Sequence, residues 1–339
     1  MKITKGIALF IFIVTLFQCS NTSIEKEKIK KINGVSFVAP PKEIGKKEIQ
    51  LPKKIIMANY ISIMPYSFIP ENSTNLSYDS EWQWWGEKTK GTIKTIQVAK
   101  EIGYGVMLKP HVWKRHGEFT GEHNYKEEKQ WVEFEESFSS YILHYAKIAD
   151  SLDVPIFCIG TEWETFVLSR PSFWRGLIKA IRKIYSGKLT YAANWDEYEK
   201  VPFWKELDYI GIDGYFPLVN AKTPSIEQIK KGISPFKKHL SRFSDSIQRK
   251  ILFTEFGFRS RNNTAFKPWE SDKTGEVNAI GQVNGYEGFF QSFWKEDYIA
   301  GGFLWKWFSN HQEVGGEKHN GFTPQNKPAE KVIFRNYQQ

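Results

Sequence analysis

Eight short apolar segments recur along the chain at a spacing near forty residues, and most alternate with longer stretches whose apolar residues fall at helical spacing. The strand-like segments cover 34–40, 55–66, 106–113, 156–164, 189–195, 209–216, 251–258 and 302–307. Helical periodicity covers 92–102, 131–150, 172–185, 225–243 and 278–295. A strand buried on both faces reads as an unbroken apolar run, and strand–helix alternation on this scale builds parallel sheets with crossover helices. The fold class is therefore α/β, and eight such units are expected to close into a single-domain (β/α)8 TIM barrel. The first and fifth units are irregular, with a poor helix around 44–51 and a short one around 201–207. An open doubly wound sheet is the rival, weakened because no glycine-rich nucleotide-binding turn follows any strand. No linker rich in Pro, Gly or Ser interrupts the chain after residue 50, so one domain is expected over 33–339.

The fourth and seventh segments each carry glutamate at the C-terminal end: Ile159-Gly160-Thr161-Glu162-Trp163-Glu164 and Phe253-Thr254-Glu255-Phe256-Gly257. In a barrel of parallel strands all C-terminal ends share one rim, so residues 93 apart in sequence can face each other across a cleft. Paired carboxylates on one rim point to glycoside hydrolysis, because the chemistry needs one group to attack or activate a nucleophile and another to protonate the departing oxygen. Glu164 competes with Glu162, since two residues along an extended strand project to the same side. Each glutamate taken singly could equally cap a helix or pair with a lysine.

At the N-terminus Lys2 and Lys5 precede the apolar run 7–17, which suits the core of an export signal and is short for a bilayer span. Leu16-Phe17-Gln18-Cys19 resembles a bacterial lipobox, with Gln18 departing from the small residue usual there. Residues 1–18 are thus expected to be a lipoprotein signal peptide, Cys19 the lipidation site, and 19–32 a flexible tether. The expected location is a bacterial membrane, with the protein anchored on a periplasmic or surface face. Cys158 is then the sole side-chain thiol and no intramolecular disulfide can form. The formal charge of +9 arises from dispersed lysines, which read as a solvated face and not as a nucleic-acid patch. No His-Glu-x-x-His, Cys-x-x-Cys, EF-hand or phosphate-loop pattern is present, so neither metal nor cofactor is expected. The expected partners are an oligo- or polysaccharide and, through the anchor, a membrane; the protein is expected to be monomeric.

Six ordered motifs resemble glycoside hydrolase family 113, a clan A family known for β-mannanase activity: 107–112, 159–162, 191–196, 208–217, 254–257 and 302–307. The resemblance implies a retaining hydrolase of β-1,4-mannan or mannooligosaccharides, with Glu162 as acid/base after strand four and Glu255 as nucleophile after strand seven. A related hydrolase of another β-glycan, or a non-catalytic tethered glycan-binding protein, are the alternatives. Tyr215 would hydrogen-bond the nucleophile, and Trp305 or Trp307, with Trp305 preferred, would form the aromatic floor under the reacting sugar. Lys109 and His111 would bind sugar hydroxyls, although His111 reads equally as a buried core histidine. Asp213 is either a further sugar contact or a lysine partner. Thr161 departs from the asparagine that clan A members commonly carry to bond the sugar 2-hydroxyl, and Asn194 could substitute. Thirteen tryptophans exceed ordinary usage. Those in expected loops, Trp113 and Trp195 among them with Trp82, Trp84, Trp85 and Trp269, are candidate cleft walls, because a solvated indole without a ligand leaves apolar area exposed, although any single one reads more readily as packing its loop onto the barrel.

Overall fold

A computed structural model describes residues 31–71, 73–114, 118–270 and 274–338. The expected signal peptide, Cys19 and nearly all of the tether lie outside the described residues. Eight parallel strands close into a barrel in the order β1 (Ile32–Phe37), β2 (Tyr60–Ile63), β4 (Gly105–Leu108), β6 (Ile156–Thr161), β7 (Lys188–Asn194), β8 (Tyr209–Asp213), β9 (Lys250–Phe256) and β10 (Ile299–Trp307), which pairs back onto β1. The chain is a (β/α)8 barrel, and β6 and β9 are its fourth and seventh strands. The described residues begin inside the barrel domain, ahead of the expected boundary at 33. Ile32 already belongs to β1, and the Lys31 ammonium donates to the backbone oxygens of Glu296 (2.7 Å) and Ile299 (2.5 Å).

Two expected strands are each split by a proline. The segment 55–66 starts as helix α2 (Leu51–Ile56), turns through the left-handed Met57, forms β2, and stops before Pro65; a short strand β3 (Tyr66–Ile69) follows. The segment 106–113 divides at Pro110 into β4 and β5 (His111–Lys114). A proline has no N–H for the ladder, so neither strand runs through it. β3 and β5 pair with each other as a two-stranded parallel sheet. Tyr141 secures both breaks, its hydroxyl lying 3.1 Å from the Pro65 oxygen and 3.0 Å from the His111 oxygen.

The major helices are α3 (Thr89–Ile102), α4 (Glu128–Ser151), α5 (Glu164–Ser169), α6 (Pro171–Arg182), α7 (Ile226–Ile247) and α8 (Ala279–Phe293). Before β2 the short α1 (Lys46–Ile49) precedes α2, and between β7 and β8 only two 3-10 turns form, as the weak periodicity of those units foretold. Ser225 opens α7 by accepting from the Gln228 N–H, and Asn278 opens α8 by accepting from the Gly281 N–H. A C-terminal helix, α9 (Ala329–Tyr337), had not been expected; its Tyr337 hydroxyl donates to the Gly34 oxygen at 2.8 Å and ties the chain end to β1.

Burial occurs in two places. Between helices and strands lies an aromatic-rich core including Phe134, Phe138, Trp163, Phe166 and Trp174. Inside the barrel a second cluster holds Ile32, Met107, Ile156, Cys158, Leu252 and Phe303, so Cys158 is a buried free thiol. Among the described residues no helix is long and apolar enough to cross a membrane.

Candidate active site

A cavity of about 710 Å³ opens at the C-terminal ends of the barrel strands, and both Glu162 and Glu255 line it. The site on β9 is ionic. Glu255 is 6 % exposed, accepting from the Lys109 ammonium on Oε1 (2.6 Å) and from the Tyr215 hydroxyl on Oε2 (2.8 Å). Lys109 is wholly buried and also meets Asp213 Oδ1 at 3.4 Å, an oxygen that accepts from Thr254 Oγ1 at 2.7 Å. Burial alone pulls the ammonium toward neutrality; Asp213 and Glu255 outweigh that and raise its pKa, so Lys109 stays charged. Burial and the field of Glu255 push Asp213 up to about 7, against the opposing pull of Lys109 and Thr254. A buried charge is tolerated when paired and hydrogen-bonded, and here one cation serves two carboxylates.

This geometry corrects one expectation and decides another. Lys109 does not line the cavity; its ammonium is spent on Glu255 and Asp213, so it braces Glu255 and is not placed to bind a sugar. Asp213 is the lysine partner, not a sugar contact.

The end of β6 is built differently. The strand stops at Thr161, and Glu162 takes a left-handed backbone (φ 53°), which costs a residue with a side chain about 1–2 kcal/mol. That turn lets α5 begin two residues later. Its N–H donates to the Ala192 oxygen (2.8 Å), its oxygen accepts from Thr120 Oγ1 (3.2 Å), and the next N–H, of Trp163, donates to the Tyr191 hydroxyl (2.6 Å). Among the described residues the Glu162 carboxyl has no hydrogen-bond or ion-pair partner. Burial, then the fields of Asp213 and Glu255, raise its pKa well above the ordinary glutamate value, outweighing the pull of Lys109. Glu164 is not a second candidate on the same strand face, because the extended backbone has already ended. It is the first residue of α5, pairs with Lys200, and does not line the cavity.

Around the two glutamates the wall combines aromatic planes with unsatisfied polar atoms. Trp305 lines the cavity while Trp307 is buried and stacks on His311 (5.4 Å between centroids), which separates two indoles that the sequence could not. His111 also lines it, its ring parallel to Trp305 at 6.5 Å and its buried Nε2 without a partner; burial and Lys109 hold its pKa well below the usual range. Thr161 Oγ1 is likewise buried and unpartnered. Asn194 ends β7 on the wall, but its Oδ1 accepts from the Trp195 N–H (2.9 Å), so that oxygen shapes the turn. Trp195 stacks on Trp269 (5.4 Å, 20°) and Trp113 is 54 % exposed; all three line the cavity. Trp82, Trp84 and Trp85 do not line it, and Trp82 instead packs edge-on to Phe68 (4.6 Å).

Among the wall residues that escaped sequence reading are Thr120, Tyr66, Phe322 and Lys306, whose ammonium lies 5.1 Å from the Trp305 ring centroid. A lysine between two strand-end tryptophans was a usable signal for the last; Tyr66 and Phe322 carry none. Glu197 was also missed. It is 2 % exposed, accepts from the Asn194 N–H at 2.8 Å, and burial pushes its pKa up to about 8. Among the described residues no group of three or more His, Cys, Asp or Glu side chains is arranged to hold a metal ion.

A (β/α)8 barrel that brings a braced glutamate and one whose pKa burial raises into a single tryptophan-walled cavity is the arrangement of a glycoside hydrolase. The chain belongs to Glycoside Hydrolase Family 113, whose family model matches residues 42–327. Among solved structures it is similar to a GH113 β-1,4-mannanase in a complex structure, with 25% identity and a TM-score of 0.77, covering 91% of this chain and 99% of that one. It is also similar to the GH113 β-mannanase AaManA from Alicyclobacillus acidocaldarius in complex with ManMIm, at 22% identity and TM-score 0.79, over 92% of this chain and 98% of that one. A β-glucuronidase from Ruminococcus gnavus shares the fold at 14% identity and TM-score 0.60, over 91% of this chain and 50% of that one. No curated protein matches the chain.

Proposed function

We propose that this glycoside hydrolase is a retaining β-mannanase acting on β-1,4-mannan or mannooligosaccharides, with Glu255 as nucleophile and Glu162 as acid/base. The observation that carries the assignment is the asymmetry of the pair. Both oxygens of Glu255 are held by donors, one of them a buried ammonium, which favours a carboxylate aimed in one direction. Glu162 has no such donor and sits where burial and neighbouring negative charge keep its proton on. A double displacement needs those two states at once.

In the first step Glu255 attacks the anomeric carbon while Glu162 protonates the departing sugar oxygen. Esterification then removes the charge of Glu255, and with it one of the fields that raised the Glu162 pKa. Glu162 becomes a competent base toward the incoming water. Trp305 supports an apolar face of the reacting sugar, and the unpartnered His111 Nε2 and Thr161 Oγ1 supply polar partners for its hydroxyls. The substrate class is supported by the mannanase structure that is 25% identical over nearly its whole length.

The test is a panel of soluble β-mannan, β-glucan and xylan assayed for reducing ends, with proton NMR of the first product formed. Release from mannan with retained β-configuration is expected. Preference for another glycan would overturn the substrate, and an inverted product would overturn the mechanism.

We also propose that Cys19 anchors the protein to a membrane. Labelled palmitate is expected to enter the wild type and not Cys19→Ser, whereas labelling of neither would remove the anchor.

A further inference from the structure

We propose that Thr120 is a positioning residue for Glu162: with Thr165 it forms a reciprocal clasp that holds the left-handed turn of Glu162 and thereby sets the direction of its carboxyl. The inference rests on Glu162 being the acid/base. With no protein partner on its carboxyl among the described residues, Glu162 cannot be aimed from the side-chain end as Glu255 is. Its orientation must come from the backbone, and the backbone sits at φ 53°, a region an ordinary residue leaves unless its surroundings hold it. Relaxation to the extended or right-handed region would swing the Cα–Cβ bond and carry the carboxyl away from the cavity.

Three hydrogen bonds oppose that relaxation. The Ala192 oxygen and the Tyr191 hydroxyl belong to neighbouring β7, part of the rigid barrel. The third comes from the loop after β5, where Thr120 Oγ1 donates to the Glu162 oxygen. The same loop receives a bond in return, from Thr165 Oγ1 in α5 to the Gly121 oxygen at 2.7 Å. Two threonines thus cross-link the 3-10 turn at 120–122 to Glu162 and to the first turn of α5. The far end of the loop is pinned as well, with the His123 ring packed edge-on against Trp163 at 5.6 Å. Thr120 itself lines the cavity, so the clasp lies where a bound sugar chain would press upon it.

Acid assistance gives the test its resolving power. A sugar leaving group needs a proton in the transition state and a dinitrophenolate does not. The full-length Thr120→Val enzyme is therefore expected to lose about 10- to 100-fold in kcat/KM on mannotetraose, as misaimed catalytic groups do, and less than about threefold on dinitrophenyl β-mannoside. Thr165→Val, which removes the return bond, is expected to lose activity in the same unequal way. Thr120→Ser, which keeps the donor, is expected to recover the mannotetraose rate. Glu162→Ala is the reference: it should show the same asymmetry in larger measure.

Equal losses on both substrates in both valine variants would mean the threonines serve only general stability, and no loss on either substrate would mean they hold nothing of consequence. Either result overturns the clasp while an asymmetric Glu162→Ala leaves the acid/base assignment standing. An absence of asymmetry in Glu162→Ala itself would overturn both.

Discussion

The ends of β6 and β9 deliver the same side chain to the same cavity by opposite means. At β9 the carboxylate is fixed from its tip by a lysine and a tyrosine, while its backbone stays within the strand, through a shift of register against both neighbouring strands. At β6 the carboxyl tip is unpartnered among the described residues, and the backbone is bent into a left-handed turn held from three sides. The difference suits the proposed roles. A nucleophile works with its negative charge retained and pointed at one carbon, whereas an acid/base must gain and lose a proton within one turnover and is poorly served by a permanent cation. Electrostatic bracing belongs to the first, and mechanical bracing without bracing charge to the second.

The sharpest way to break this comparison is to remove each end in turn. Glu255→Ala is expected to lower kcat on mannan by about 10⁴-fold or more, measured by reducing-end release, since the covalent step has no other nucleophile. Glu162→Gln is expected to cost about 10² to 10⁴-fold on the same substrate and to abolish the alkaline limb of the rate profile. That substitution also has a signature in stability. Because the folded protein binds the Glu162 proton more tightly than the unfolded chain does, the group's contribution to stability is present below the ordinary glutamate pKa and is lost as pH rises through the folded value. Glu162→Gln should therefore melt higher than wild type at about pH 8 and no higher at about pH 3, where wild-type Glu162 is protonated in both states. Identical shifts at both pH values would show that burial does not hold this proton.

Lys109→Met probes the ionic end. It strands two buried carboxylates without their cation, so a loss of about 3–5 kcal/mol is expected in denaturant titrations. In the same variant kcat on mannan is expected to fall by about tenfold or more, because Glu255 loses one of its two donors. A stable variant with undiminished kcat would show that Lys109 does not brace the nucleophile. The smallest effect belongs to Glu164→Gln: a half-exposed pair with Lys200 is worth about 0–1 kcal/mol, and rates on mannan should stay within about twofold of wild type. A larger catalytic loss there would reopen the choice between the two glutamates.

Much of the barrel was legible because buried parallel strands are nearly continuous apolar runs and their crossover helices keep a clear helical period. The misreadings have local causes. Pro65 and Pro110 stand in plain view, yet apolar residues on both sides made each broken strand look continuous. The residues of α9 are few and its buried positions, Val332, Ile333 and Tyr337, make a sparse pattern. At the site, residue type and strand-end position nominated Glu255 and left Glu162 in competition with Glu164, because the strand ends of one barrel converge whatever the helices between them do; the preference for Glu162 and the role given to Tyr215 came from the resemblance to family 113. The inward turn of Lys109 was not legible. Its cause is a charge 146 residues away on another strand, and nothing in the neighbouring sequence reports it. The left-handed turn at Glu162 was hidden for the same reason, being imposed by Thr120 and by the adjacent Tyr191 and Ala192, from two separate places in the chain. Trp82, Trp84 and Trp85 took the second of their two readings: composition allowed a cleft wall, and the rings lie elsewhere, Trp82 against Phe68.

The central claim is that Glu255 forms the covalent bond to the sugar while Glu162 does not. It is tested most directly by incubating the enzyme with a 2-deoxy-2-fluoro-β-mannosyl fluoride and reading the intact mass and the labelled peptide. One adduct per chain, on Glu255, is the predicted result, with turnover restored as the adduct hydrolyses. A label on Glu162 or Glu164, or inactivation with no adduct at all, would contradict it.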